Sequence, residues 1–313
     1  MGRYLVRRLT LVVPTLALAA LLVFLLMRAI PGDPALLFVG DPENHQAIAE
    51  KRVELGLDKP VHEQFARWLG GVARGDLGES VKTGNPVAEE IASTFPVTAQ
   101  IVILSIVLAA AIAIPAGMYA AWKQDSAGDL GVVAFATLCL SVPSFWVALM
   151  LLTVFGVKLG WLPTVGFVSL AEDFTQGLAY MLMPVAALVL TELAVLVRMS
   201  RASMIEVLRL EYITHARAKG ATEAAVLWRH AFRNAFAPTL TVIGLMLGHL
   251  LGGVVVIETM FSLPGMGRLM VGAIMARDYP VVQGVLLFVV LVYVGVNLLV
   301  DMLYPVFDPR VKL

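Results

Sequence analysis

The chain has 313 residues with no net charge; 59% of them are apolar and 15% charged. Soluble domains carry about 45–50% apolar and about 25% charged residues, so the balance points to a protein built for a bilayer, with no case for nucleic acid. The single cysteine, Cys139, lies in an apolar run; it excludes an intramolecular disulfide and reads as a small buried hydrophobe.

Arg3, Arg7 and Arg8 precede an apolar stretch from Leu9 to Met27. It is longer than a signal-peptide core and no Ala-x-Ala site follows, so it reads as an uncleaved anchor. Six stretches are long and apolar enough to cross about 30 Å of hydrocarbon as helices: Leu9–Ala29, Val97–Ala121, Gly131–Phe155, Tyr180–Met199, Thr239–Met260 and Val281–Tyr304. Backbone groups in lipid must bond internally, so the expectation is an all-α integral membrane fold. Small residues recur every fourth position at Ser105, Ala109, Ala113, Gly117 and Ala121, and again at Gly244, Gly248 and Gly252. That spacing brings membrane helices close and reads as packing within the chain, with a subunit interface as the alternative. Pro143 should kink the third span, with Ser144 and its neighbours bonding the freed carbonyls.

Lys and Arg asymmetry orients the spans. With the N-terminus inside, the inner side holds Arg3, Arg7, Arg8, Lys123, Arg198, Arg201, Arg209, Arg217, Lys219, Arg229, Arg233, Arg310 and Lys312. The short outer connections hold Arg28, Lys158, Arg268 and Arg277. Both termini are therefore expected in the cytoplasm. The long connection from Pro31 to Pro96 has eleven acidic and six basic residues, with short helical patterns at His45–Gly56 and Val61–Val72. It reads either as a solvated cap or as a docking surface for an external partner. The inner connection from Ser200 to Pro238 reads as two short helices broken at Gly220. The first covers Ser203–Lys219 and aligns Tyr212, Ala216 and Gly220 at four-residue spacing; Gly220 caps it, Thr222 caps the second, and Pro238 stops the hairpin. Its row of small residues suits close approach of a partner better than lipid anchoring, which uses large apolar side chains.

No Gly-Lys dipeptide is present, so the chain has no phosphate-binding P-loop. His62-Glu63 begins a zinc-protease pattern, but Ala66 stands where its second histidine belongs. No catalytic or metal-ligating set emerges.

The hairpin reads Glu211-Tyr-Ile-Thr-His-Ala-Arg-Ala-Lys-Gly220, followed by Arg229-His-Ala-Phe-Arg-Asn-Ala-Phe-Ala-Pro238. It resembles the coupling loop of ABC-importer permeases, and more narrowly the dipeptide, oligopeptide, glutathione and nickel branch. Ile30-Pro-Gly-Asp-Pro34, Gly75-Asp-Leu-Gly78, Leu159-Gly-Trp-Leu-Pro163, Pro264-Gly-Met-Gly267, Arg277-Asp-Tyr-Pro280 and Asp308-Pro-Arg310 extend the resemblance along the chain.

The resemblance implies a type I ABC importer permease in a bacterial inner membrane. Residues 1–30 would form the N-terminus and first span, and 31–96 the external segment. Residues 97–305 would form a five-helix core with a coupling loop at 200–238, and 306–313 the tail. It implies a second homologous permease, two ATP-binding subunits that hold ATP and Mg, and an external substrate-binding protein; this chain would hold no cofactor of its own. The cargo would be a small peptide or a nickel complex. Glu211, Tyr212, Ala216, Ala218 and Gly220 are the coupling candidates. A stand-alone secondary transporter or channel is the alternative, and a membrane enzyme the third reading.

Ionisable groups inside a span cost roughly 2.5–3.5 kcal/mol on insertion scales. Glu192, His249 and Glu258 are therefore candidates for the translocation path. The competing readings are a hydrogen-bonded carboxyl for Glu192 and a satisfied, protein-facing histidine for His249.

Overall fold

A computed structural model describes residues 2–29, 34–39, 41 and 43–307. Thirteen α-helices are found among them, and the only β-pairing there is an isolated bridge between Glu79 and Pro86. Helix α1 is Gly2–Ala29; α2 (Pro34–Val39), α3 (His45–Glu54) and α4 (Val61–Val72) follow; α5 is Val87–Trp122, α6 Ala127–Ser141 and α7 Ser144–Leu151, which a π-helical segment continues to Lys158. After it come α8 (Phe174–Leu208), α9 (Glu211–Ala218) and α10 (Glu223–Ala225), the last continued by a π-helical turn to Ala231. Then α11 is Phe232–Met260, α12 Met266–Ala276 and α13 Tyr279–Phe307.

All six expected spans are present: five as helices long and apolar enough to cross, and one as the bent pair α6–α7. The third span is broken rather than kinked. Its halves meet at 92°, because Val142 is extended (φ −104°, ψ 124°), the conformation a following proline imposes. The hydroxyls bonding carbonyls near the break are those of Thr137 (to Val133, 2.8 Å) and Ser141 (to Thr137, 2.9 Å), not that of Ser144.

The centre of the bundle is the packing of α5 on α8. Ser105, Ala109 and Ala113 have no exposed surface, and at Gly117 a Cβ would sit 2.7 Å from the Val197 carbonyl and 2.8 Å from Ser200 Cβ. Glycine is what lets the two backbones meet there. The second small-residue row packs on α13: Gly244 faces Val300 and Gly248 faces Tyr293, while Gly252 borders open space. Both rows thus include contacts within the chain.

Apolar clusters also close the two ends. At one end Met118, Ala121, Met204, Val207, Ile213, Val226, Ala231 and Ala235 pack together beneath α9. At the other, Val87 and Ile91 pack with Met266, Ala273, Val281, Val282 and Val285. Between them the outward faces stay apolar, with Leu130, Phe135, Leu138 and Leu245 among the exposed side chains. The tail at 308–313 and the Ile30-Pro-Gly-Asp motif through Asp33 lie outside the described residues.

Candidate coupling hairpin and transport residues

The hairpin differs from the sequence expectation in where its first helix begins. Helix α8 runs on to Leu208, Leu210 is extended (ψ 145°), and α9 starts at Glu211 instead of near Ser203. The break redirects the chain so that Ile213, with no exposed surface, packs into the apolar cluster beneath it. A continuous helix would carry Ile213 away from that cluster.

The end of α9 is a complete cap. Gly220 has φ +84°, its N–H donates to the Arg217 carbonyl (2.9 Å), and the Ala221 N–H donates to that of Ala216 (3.2 Å). This is the Schellman pair, built on a left-handed residue where glycine carries no Cβ penalty. Thr222 caps the next helix by accepting from the Ala225 N–H (3.3 Å), and Arg217 bridges to Glu223 at 2.9 Å. Pro238, expected to stop the hairpin, lies inside α11. It falls in the second turn, where its missing N–H removes one intrahelical bond without ending the helix.

Successive residues of a helix turn by about 100°. Taking Ile213 as the inward direction, Glu211, His215 and Ala218 occupy the opposite, exposed face. Tyr212 and Ala216 lie on the flank, so the row expected to face outward is turned sideways. The Tyr212 hydroxyl is occupied: it donates to the His230 carbonyl (3.3 Å) and accepts from the Asn234 amide (2.7 Å). Tyr212 braces the hairpin against the root of α11.

Deep in the bundle, Glu192 on α8 is 5% exposed, and its Oε1 lies 3.7 Å from Nδ1 of His249 on α11. The His249 side chain is 78% exposed on the surface of the single chain. The imidazole is thus at the surface of this chain and not in its interior. Together they form a polar pair that reaches from the interior of the bundle to its surface.

Glu258, the third path candidate, is placed differently. It has no exposed surface and accepts from the Thr98 hydroxyl (2.6 Å) and the Arg268 N–H (3.1 Å), while Thr98 accepts from the Met266 N–H (2.8 Å). Its carboxylate lies against the Cα of Gly265, where a side chain has no room. Glu258 is a clamp joining α5, α11 and the start of α12.

Two comparisons bear on this arrangement. The model of the family described as binding-protein-dependent transport system inner membrane component matches residues 113–313, and the model of that family's N-terminal region matches residues 1–102. This chain belongs to that family.

A putative peptide transport system permease protein of Brucella abortus (strain 2308) is 43% identical over 312 residues, covering 100% of this chain and 99% of the relative. The dipeptide transport system permease protein DppB of Escherichia coli (strain K12) is 41% identical over 339 aligned positions, with 100% and 99% covered. DppB of Alkalihalophilus pseudofirmus is 39% identical over 329, with 99% of each covered. The chain is thus a multi-pass inner-membrane permease subunit of an ABC importer, and the stand-alone carrier reading falls away.

Sequence reasoning missed some of what holds this permease together. Asp129, at the start of α6, is buried and forms a two-point ion pair with Arg201 of α8 (2.6 and 2.5 Å), while also accepting from the Asp125 N–H (3.0 Å). In the sequence Arg201 reads only as an orienting charge. No local spacing links it to Asp129, which lies 72 positions away. At the other end Asp278 accepts from the Ser80 hydroxyl (2.5 Å) and the Lys82 N–H (3.2 Å), which ties the segment before α5 to the start of α13. Arg277, beside it, takes the left-handed conformation (φ 56°) that ends α12.

Proposed function

We propose that this permease imports small peptides as one half of a translocation path whose other half is a second, related permease. Two cytoplasmic ATP-binding subunits, which hold the ATP and Mg, dock on the two hairpins. An external substrate-binding protein delivers the peptide. In this reading the N- and C-termini and α9 lie in the cytoplasm, following the excess of Lys and Arg at that end.

The observation that carries the reading is the prefolded hairpin. Helix α9 is anchored by Ile213, capped at Gly220 and braced by Tyr212, yet presents Glu211, Thr214, His215 and Ala218 outward. A lipid-facing helix of this size would turn its large apolar residue out; here that residue is buried and the exposed face is small and polar. A rigid knob of this kind transmits motion between a docked partner and the helices α8 and α11 that it joins. The peptide assignment is supported by the names of the whole-length relatives. The Glu192 carboxyl beside the exposed His249 supplies acceptor oxygens of the kind that would meet a peptide ammonium.

The decisive experiment is purification of the tagged chain from its own membranes in mild detergent, followed by labelled-dipeptide uptake in reconstituted vesicles. An ATP-hydrolysing protein and a second permease should accompany the chain, and uptake should require ATP on the hairpin side. Purification without any ATPase, or uptake independent of ATP, overturns the proposal.

A further inference from the structure

At the end of the bundle opposite the hairpin, the end of α1, helix α4, the 74–78 turn and the start of α13 enclose a cavity of about 470 Å³. It is separate from both the hairpin and the Glu192–His249 pair. Three arginines line it, Arg28, Arg67 and Arg74, against one carboxylate, Asp76. That carboxylate already accepts from the Gly78 N–H (2.9 Å). The wall is aromatic: Phe24 stacks with Trp68 at 5.6 Å between ring centres, and the Arg28 guanidinium lies 4.4 Å over the Phe24 ring. Arg28 also donates to the side-chain carbonyl of Gln64. Tyr279 completes the lining, and its buried hydroxyl has no hydrogen-bond partner among the described residues. A buried hydroxyl left unpaired marks a place where a partner is missing.

The level of the cavity in the bundle narrows what that partner is. Its lining includes the last residues of span α1 and the first of span α13, where two apolar helices leave the hydrocarbon. Aromatic side chains at that level are typical of membrane–water boundaries. At about 100° per residue, the side of α1 that carries Arg28 also carries Leu21, Leu25 and Leu18, which are 38%, 46% and 58% exposed. Guanidinium groups pair with phosphate oxygens through two parallel hydrogen bonds, and basic pockets between membrane helices take anionic headgroups. We infer that the cavity bounded by Arg28, Arg67, Arg74 and Tyr279 holds the phosphate of an anionic phospholipid, with its acyl chains along the exposed leucines of α1. A free phosphate would meet the same arginines but gain nothing from the leucines. A bound lipid here would tie α4, on the segment before α5, to the spans α1 and α13.

The test uses the full-length chain purified in mild detergent with the subunits that accompany it. The probes are dioleoyl phosphatidylglycerol, dioleoyl phosphatidylcholine with the same acyl chains, and inorganic phosphate; retained lipid is read by mass spectrometry. Wild type should retain phosphatidylglycerol in preference to phosphatidylcholine, and millimolar phosphate should not displace it. Replacing all three arginines by glutamine should lower phosphatidylglycerol retention on the order of a hundredfold and leave phosphatidylcholine unchanged. Tyr279→Phe removes one oxygen and should lower retention roughly threefold without affecting assembly; it decides the matter alone if the triple variant does not stay monodisperse. Equal retention in wild type and Tyr279→Phe, or full displacement by phosphate, overturns the proposal.

Discussion

Glu192, Asp129 and Glu258 are buried carboxylates, and each meets the demand for a partner differently. Asp129 has a guanidinium in two-point contact, and Glu258 has a hydroxyl and backbone N–H donors. Glu192 has one imidazole at 3.7 Å, which is beyond hydrogen-bond length, and that imidazole is exposed. A fully used carboxylate holds structure, whereas one with spare acceptor capacity beside an exposed polar group is available to a ligand. The two glutamates on the path list should therefore respond oppositely. Glu258→Ala strips partners from the Thr98 hydroxyl and the Arg268 N–H, at roughly 1–3 kcal/mol for each buried group left unpaired. It should reduce the amount of assembled complex. Glu192→Gln keeps the shape and removes the charge, so it should leave assembly intact and slow uptake per assembled complex several-fold. Quantifying complex by size-exclusion and uptake on the same samples checks both; normal uptake in Glu192→Gln removes that residue from the path.

At the scale of elements, the hairpin divides into an inward side that makes it rigid and an outward side free to dock. Ile213→Ala deletes a fully buried side chain, a change that costs roughly 2–5 kcal/mol where the site cannot collapse. It should loosen α9 and lower ATP hydrolysis coupled to transport. Ala218→Arg adds bulk and charge on the exposed face and touches none of the packing beneath. The expected result is an unchanged melting temperature for the permease with loss of the ATPase from the purified complex. Retention of the ATPase by Ala218→Arg would move the docking surface elsewhere on the hairpin. The α6–α7 break illustrates a second kind of element: a span that crosses in two pieces because a proline forces the residue before it out of the helical region.

At the scale of the molecule, the bundle has two closed ends and an apolar waist, with α5 and α8 at its centre. Helices α5 and α8 have 36 and 35 residues, so each extends about 54 Å, well beyond the hydrocarbon thickness. They project on opposite sides, α5 toward the Asp278 end and α8 toward the hairpin. That asymmetry predicts a labelling pattern. With Cys139 replaced by Ala, single cysteines at Glu79 and Glu172 should react with an impermeant thiol reagent in intact cells. A cysteine at Lys219, exposed on the hairpin, should react only after the membrane is opened. Labelling at Lys219 in intact cells would invert the proposed orientation.

The number and place of the spans were legible because burying apolar length in lipid is a local property of consecutive residues. The short pattern at Val61–Val72 matches α4 at both ends, where Pro60 stands just before the first helical residue. The cap at Gly220 was legible too, since a left-handed residue after a helix favours glycine wherever it occurs. What tertiary structure alone decided is which side chains meet. Asp129 with Arg201, Glu258 with Thr98, Asp278 with Ser80, and the direction α9 turns are set by contacts 72 to 198 positions apart or by the burial of Ile213. Charge and spacing say that a carboxylate inside a membrane needs a partner; only the packing of the helices says which one, because the donors come from elements that no periodicity connects.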